Sequence, residues 1–115
     1  MHIPAAQSPF AQLSQIEGIE FVLATKAGEA CHQVARGLEN PERMAIWTRQ
    51  NLERFRGLGD RLRAGPLEHV EGLGQQRHVT VARQADIEFC VGWRHALTPV
   101  EIRARMKQVL ALWVS

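Results

Sequence analysis

Residues 40–74 read NPERMAIWTRQNLERFRGLGDRLRAGPLEHVEGLG. Asn40-Pro41-Glu42 is a helix opening. An asparagine side chain can accept from a free backbone amide, proline fits the first helical position, and glutamate suits the positive end of the helix dipole. From Pro41 the pattern predicts one helix to Ala64, closed by Gly65-Pro66. About 24 residues at ~1.5 Å each make roughly 36 Å, the longest element in the chain. Met44, Thr48, Asn51, Phe55, Leu58 and Leu62 recur at helical spacing and predict the seam that lies on a sheet. After Pro66 the period changes to short runs bounded by polar turns, which is the mark of strands.

Those runs are Leu67 to Leu73, Arg77 to Arg83 and Ile87 to Trp93, separated by Gly74-Gln75-Gln76 and Gln84-Ala85-Asp86, and they predict an antiparallel meander. Thr98-Pro99-Val100-Glu101 then opens a closing helix as a capping box, because the threonine oxygen and the glutamate carboxylate each satisfy a free amide of the other. Ile102, Met106, Val109, Leu110 and Trp113 line one face of it. Upstream of residue 40, Phe10, Leu13 and Ile16 predict a short first helix stopped by Gly18. Ile19 to Ala24 and Ala30 to Ala35 predict a hairpin around Lys26-Ala27-Gly28-Glu29. The order is α-β-β-α-β-β-β-α, an α/β (α+β) arrangement.

At 115 residues the chain predicts a single domain over 1–115, and 45% hydrophobic with 23% charged residues argues for one packed core. The net charge is +2, but twelve of the fourteen basic residues are arginine. Arginine is favoured at protein interfaces, and a GC-rich genome produces the same bias, so both explanations stand. Cys31 and Cys90 lie in apolar runs without a CxxC spacing and read as free core thiols. No window approaches the eighteen or so apolar residues of a membrane span, and the first twenty residues carry no basic start followed by an apolar stretch. The expectation is a cytoplasmic protein that does not engage membrane.

Catalytic chemistry finds no support. There is no GxSxG elbow, no Walker or GxGxxG loop, and the histidines stand apart at 2, 32, 69, 78 and 95. His69 and His78 on adjacent strands could face each other, yet no HxxxH, HxH or Cys/His cluster accompanies them, so neither metal nor cofactor is expected. Glu39, Glu42 and Glu53 read as helix surface, and Glu68, Glu71 and Glu88 as solvated or edge strand positions.

The long helix is more informative. One flank carries Trp47, Arg54 and Arg61; the other carries Ala45, Leu52, Arg56, Gly59 and Arg63. Tryptophan and arginine are enriched at interface hot spots, and Trp47 reads either as such an anchor or as a side chain folded back onto its own sheet. Gly57 and Gly59 each cost about 1 kcal/mol against alanine inside a helix. Close approach of another backbone explains them, and so does a helix break near residue 57. Six arginines between 43 and 63 permit a nucleic-acid reading. Glu42, Glu53 and Asp60 interrupt them and only Trp47 and Phe55 offer stacking, so no nucleic acid is expected.

The element order and several strings resemble the roadblock family, which includes the dynein light chain roadblock and MglB-like domains. The strings are the hairpin FVLATKAGEACHQVA, the long helix from Pro41, AGPLEHVEGLG, the strand IEFCVGW and the closing TPVEIRARMKQVLALW, together spanning nearly the whole chain. The resemblance implies a roadblock/profilin-like sandwich. Its five-stranded antiparallel sheet has the order 2-1-5-4-3, with the long helix on one face and the terminal helices on the other. It also implies a homodimer formed edge to edge through Leu67, Glu68, His69, Val70 and Glu71, with Leu52 and Gly59 at the helix contact. Trp47, Arg54 and Arg61 would then form the platform for a partner.

Similar bacterial proteins bind Ras-like small GTPases, some stimulating hydrolysis and others serving as scaffolds in polarity, motility or signalling. This chain departs from commoner members in its brief N-terminal helix and in Arg56-Gly57-Leu58-Gly59. The alternative is a small-molecule sensor or a general protein-interaction module without a GTPase. A sensor requires a cavity of roughly 300 Å³ or more with converging polar groups.

Overall fold

In the computed structural model, residues 13, 16–26, 32–65 and 69–112 are described. Strand β1 (Ile19–Lys26) pairs antiparallel with β2 (His32–Arg36). Helix α1 (Pro41–Arg61) follows, then the meander β3 (His69–Leu73), β4 (Arg77–Gln84) and β5 (Ile87–Arg94), and finally helix α2 (Pro99–Ala111). The sheet has five strands in the order β2-β1-β5-β4-β3, as the resemblance implies, and β5 joins the hairpin to the meander. Within the expected first helix, Leu13 is helical and Ile16 donates its amide to the Leu13 carbonyl at 3.1 Å; its other residues lie outside those described. So do Cys31, Leu67, Glu68 and Trp113.

Strand β5 is buried from Ile87 to Trp93 because both of its faces are covered. On one face Phe89, Val91 and Trp93 pack with Val22, Ala24, Leu13 and the inward stripe Ile102, Met106 and Val109 of α2. On the other, Cys90 joins Phe21, Leu23, Val81 and Leu52 of α1. The terminal and long helices therefore flank the sheet on opposite sides. Thr98 and Glu101 exchange the two hydrogen bonds of the expected capping box, at 3.0 and 3.2 Å. The Asn40 side chain accepts from the Arg43 amide at 3.1 Å and starts α1 as expected.

The seam of α1 is rotated from the expected one. Thr48, Leu52 and Gly59 are its buried residues, with Met44, Ala45 and Phe55 packed at the margin. Leu58 and Leu62, expected in the core, are 46% and 65% exposed. The cause is the helical repeat: positions seven apart drift by about 20° per heptad on a straight helix, so Met44, Asn51 and Leu58 walk progressively off the sheet while Leu52 and Gly59 turn onto it. Leu62 lies beyond the last helical residue, as the C-cap.

Helix α1 runs through Gly57 without a break and stops at Arg61, three residues short of the expected end. Arg63 takes the left-handed conformation, φ 56°, its amide bonding the Asp60 carbonyl at 3.1 Å while the Ala64 amide reaches the Gly59 carbonyl at 2.8 Å. That paired closure usually has glycine where Arg63 stands, and the left-handed region costs a residue with a Cβ roughly 1–2 kcal/mol. Arg63→Gly is therefore expected to raise stability by about 0.5–1 kcal/mol after the larger unfolded-state entropy of glycine is subtracted. A higher urea midpoint checks this; a lower one would mean the Arg63 side chain stabilises the cap.

Candidate interaction surface

The outward side of α1 exposes Ile46, Glu53 and Arg56 as well as the flank that carries Trp47. Trp47 is 44% exposed, and Arg54, Leu58 and Arg61 are exposed after it, at spacings of seven, four and three residues. Asn51, half-buried between them, donates its side-chain amide to the Trp47 carbonyl at 2.8 Å. Trp47, Arg54 and Arg61 thus form a continuous stripe with Leu58. The opposite flank is not equivalent. Leu52, at 6% exposure, packs against Phe21 and Leu23, and Gly59 is buried within the single chain, whereas Arg56 and Arg63 of the same flank are exposed.

The outer edge of the sheet is β3, which pairs with β4 alone: His69 opposes Ala82, Val70 opposes Val81 and Glu71 opposes Thr80. His69, Val70 and Glu71 stand on this edge; an unpaired edge strand invites another strand unless something covers it. Glu71 is also tied to α2. Its carboxylate accepts from Arg103 Nε at 3.0 and 3.2 Å and lies 3.4 Å from His69 Nε2. The Arg103 hydrogen bonds hold the Glu71 carboxyl below the usual range, with burial opposing and the Arg103 and His69 charges assisting.

The histidine pair expected across adjacent strands is not formed. The register puts His78 opposite Leu73 and His69 opposite Ala82, at opposite ends of the ladder with three residue pairs between them. His78 instead meets His95, its Nε2 lying 3.1 Å from the His95 carbonyl oxygen. No group of three or more metal-ligating side chains occurs among the described residues. None of the described helices is long and apolar enough to cross a membrane.

Two features under α1 have no counterpart in the sequence expectations. Glu88, expected at a solvated position, is 5% exposed and pairs with Arg49 Nε of α1 at 3.5 Å. Its neighbour Cys90 is the buried thiol expected; burial pushes its pKa up to about 11, against a hydrogen bond with Thr48.

The second feature is a cavity of about 380 Å³ at the start of α1, lined among others by Phe21, Leu38, Arg43, Met44, Trp47 and Arg77. Gly92 leaves room for its floor, since a Cβ there would stand 2.1 Å from the Phe21 ring. Arg77 lies over that ring at 5.8 Å from its centre. Gly37, at φ 75°, carries the chain from β2 past Phe21 so closely that a Cβ would come 2.4 Å from the Glu20 carbonyl. Three distant segments build this hollow, and no local motif signals it.

No family model matches the chain, nor does any curated protein. Its architecture does have solved counterparts. Myxococcus xanthus MglB matches with a TM-score of 0.79 over 97% of this chain and 89% of that one, at 13% identity. The Roadblock/LC7 domain from Streptomyces avermitilis matches with 0.74 over 90% and 89%, also at 13% identity. An MglB with tetrameric arrangement matches with 0.72 over 97% and 90%, at 10% identity. The chain has the roadblock fold.

Proposed function

We propose that this protein is a homodimeric, non-catalytic regulatory or scaffold subunit that binds a Ras-like small GTPase. The observation that carries the reading is the exposed stripe of Trp47, Arg54, Leu58 and Arg61 on α1. An isolated soluble helix face favours glutamate and lysine, whereas tryptophan and arginine are the residues that anchor interfaces. The roadblock resemblance supplies the partner class, and the tetrameric arrangement of one MglB with this fold supports assembly between copies. Pairing of two β3 edges through His69, Val70 and Glu71, with Leu67 and Glu68 expected to extend it, would cover the open ladder and bring two α1 helices side by side.

Light scattering at micromolar concentration is expected to give the mass of a dimer. With a small GTPase from the same cell, Trp47→Ala combined with Arg54→Ala should weaken binding by at least tenfold, about 1.4 kcal/mol, while the urea midpoint is kept. A monomer mass overturns the assembly, and unchanged GTPase affinity in the double variant overturns the platform.

A further inference from the structure

We propose that the cavity between β1 and the first turns of α1 binds a small organic anion with a flat apolar body, held by Arg43 and Arg77. The volume of about 380 Å³ lies within the range of small-molecule sites, roughly 300–1,000 Å³. Its walls divide chemically into two parts. Phe21, Leu38, Met44 and Trp47 are apolar and two of them are aromatic, which suits a planar ring system. Arg43 and Arg77 supply two guanidinium groups against the single carboxylate of Glu39, and the positive end of the α1 dipole adds to them. Neither arginine has an ion-pair partner among the described residues. A guanidinium free of a protein carboxylate and resting over an aromatic ring is available for a bidentate hydrogen bond to an anionic head group.

The site is built rather than incidental. The Phe21 ring is seated where Gly92 has no side chain, and the Gly37 turn is pressed against β1, so close backbone packing sets the position of floor and wall. A groove whose floor is already in place loses less on ordering when a ligand enters, which is how a small site reaches useful affinity.

This inference stands independently of the GTPase reading. Trp47 is common to both, so the test avoids it and uses Arg43 and Arg77, which lie outside the Arg54–Arg61 part of the stripe. The probes are 8-anilinonaphthalene-1-sulfonate and its uncharged analogue N-phenyl-1-naphthylamine, titrated by fluorescence, with amide shifts mapped by NMR. The sulfonate is expected to bind once per chain, at least about tenfold more tightly than the neutral analogue, and to move the amides of residues 37–47 and 77. Arg43→Ala with Arg77→Ala should bring the sulfonate down to the affinity of the neutral probe while the urea midpoint is kept. Arg77→Lys, which retains charge without the planar fork, should fall between. Absence of sulfonate binding, equal affinity for both probes, undiminished binding to the double variant, or shifts confined to another surface would each overturn the proposal. A preserved GTPase affinity in that double variant separates the two readings.

Discussion

Trp93→Ala is expected to lower stability by about 3–5 kcal/mol, the cost of emptying a large aromatic site in a packed core. Trp93 is fully buried on β5, between the β1 and β4 strands and beneath α2, and it is the largest of the fully buried side chains. Its indole Nε1 donates to Thr80 Oγ1 at 3.0 Å, and Thr80 is itself fully buried. Removing the ring therefore leaves a cavity and strands a hydroxyl that has no route to solvent. Since small domains hold about 5–15 kcal/mol in all, this single change takes a large share. Trp93→Phe separates the two parts: it keeps most of the packing and should cost about 1–3 kcal/mol, chiefly through the unpaired Thr80 hydroxyl. Adding Thr80→Val to Trp93→Phe should then recover stability. Urea midpoints at constant m-value measure all three; a Trp93→Phe/Thr80→Val pair no better than Trp93→Phe alone would show that the hydrogen bond contributes little.

Gly92→Ala is the second large effect, about 2 kcal/mol within the range of roughly 1–3 for overpacking a core. The methyl would stand 2.1–2.7 Å from three atoms of the Phe21 ring. Phe21 is buried, and Arg77 lies over it, so the ring can yield only by swinging into the 380 Å³ cavity beside it. That movement limits the cost and fills the hollow. Phe21→Leu should destabilise the wild-type chain but relieve the Gly92→Ala variant, giving a coupling energy opposite in sign to simple addition of two losses. Additive losses in the double variant would mean that strain at residue 92 is taken up by the backbone instead.

Much of this architecture is legible in the sequence because it depends on local chemistry. Asn40-Pro41 and Thr98-Pro99-Val100-Glu101 announce helix starts through short-range hydrogen bonds, and those bonds are formed. Ile87 to Trp93 shows its central position by being apolar throughout. What sequence reasoning missed depends on angle and distance. Leu58 continues a seven-residue spacing from Met44 and Asn51 that a straight helix does not keep against a sheet, and Leu62 falls past the helix end. Gly65-Pro66 points to a helix running to Ala64, and Gly65 does adopt left-handed geometry, but Arg63 adopts it first. Glu88 looks solvated until Arg49 is brought over it by a helix 39 positions earlier in the chain, and the cavity needs Phe21, Arg43 and Arg77 brought together by the whole topology. On the candidate surface, the arginines and Trp47 are visible as residue types, but which residues of each flank reach solvent follows only from the rotation of α1.

The alternation along β5 has a consequence for how the chain finds its fold. Ile87, Phe89, Val91 and Trp93 face the terminal helices while Glu88, Cys90 and Gly92 face α1. A slip of one residue in pairing would exchange these sets. It would drive the Glu88 carboxylate into the apolar layer with Ile102 and Met106, away from Arg49, and would set a bulky side chain where Phe21 needs a vacancy. Charge at one end of the strand and glycine at the other therefore reject the misregistered sheet during assembly, so that the two ends act as a gauge by which β1 and β4 find their alignment on the central strand.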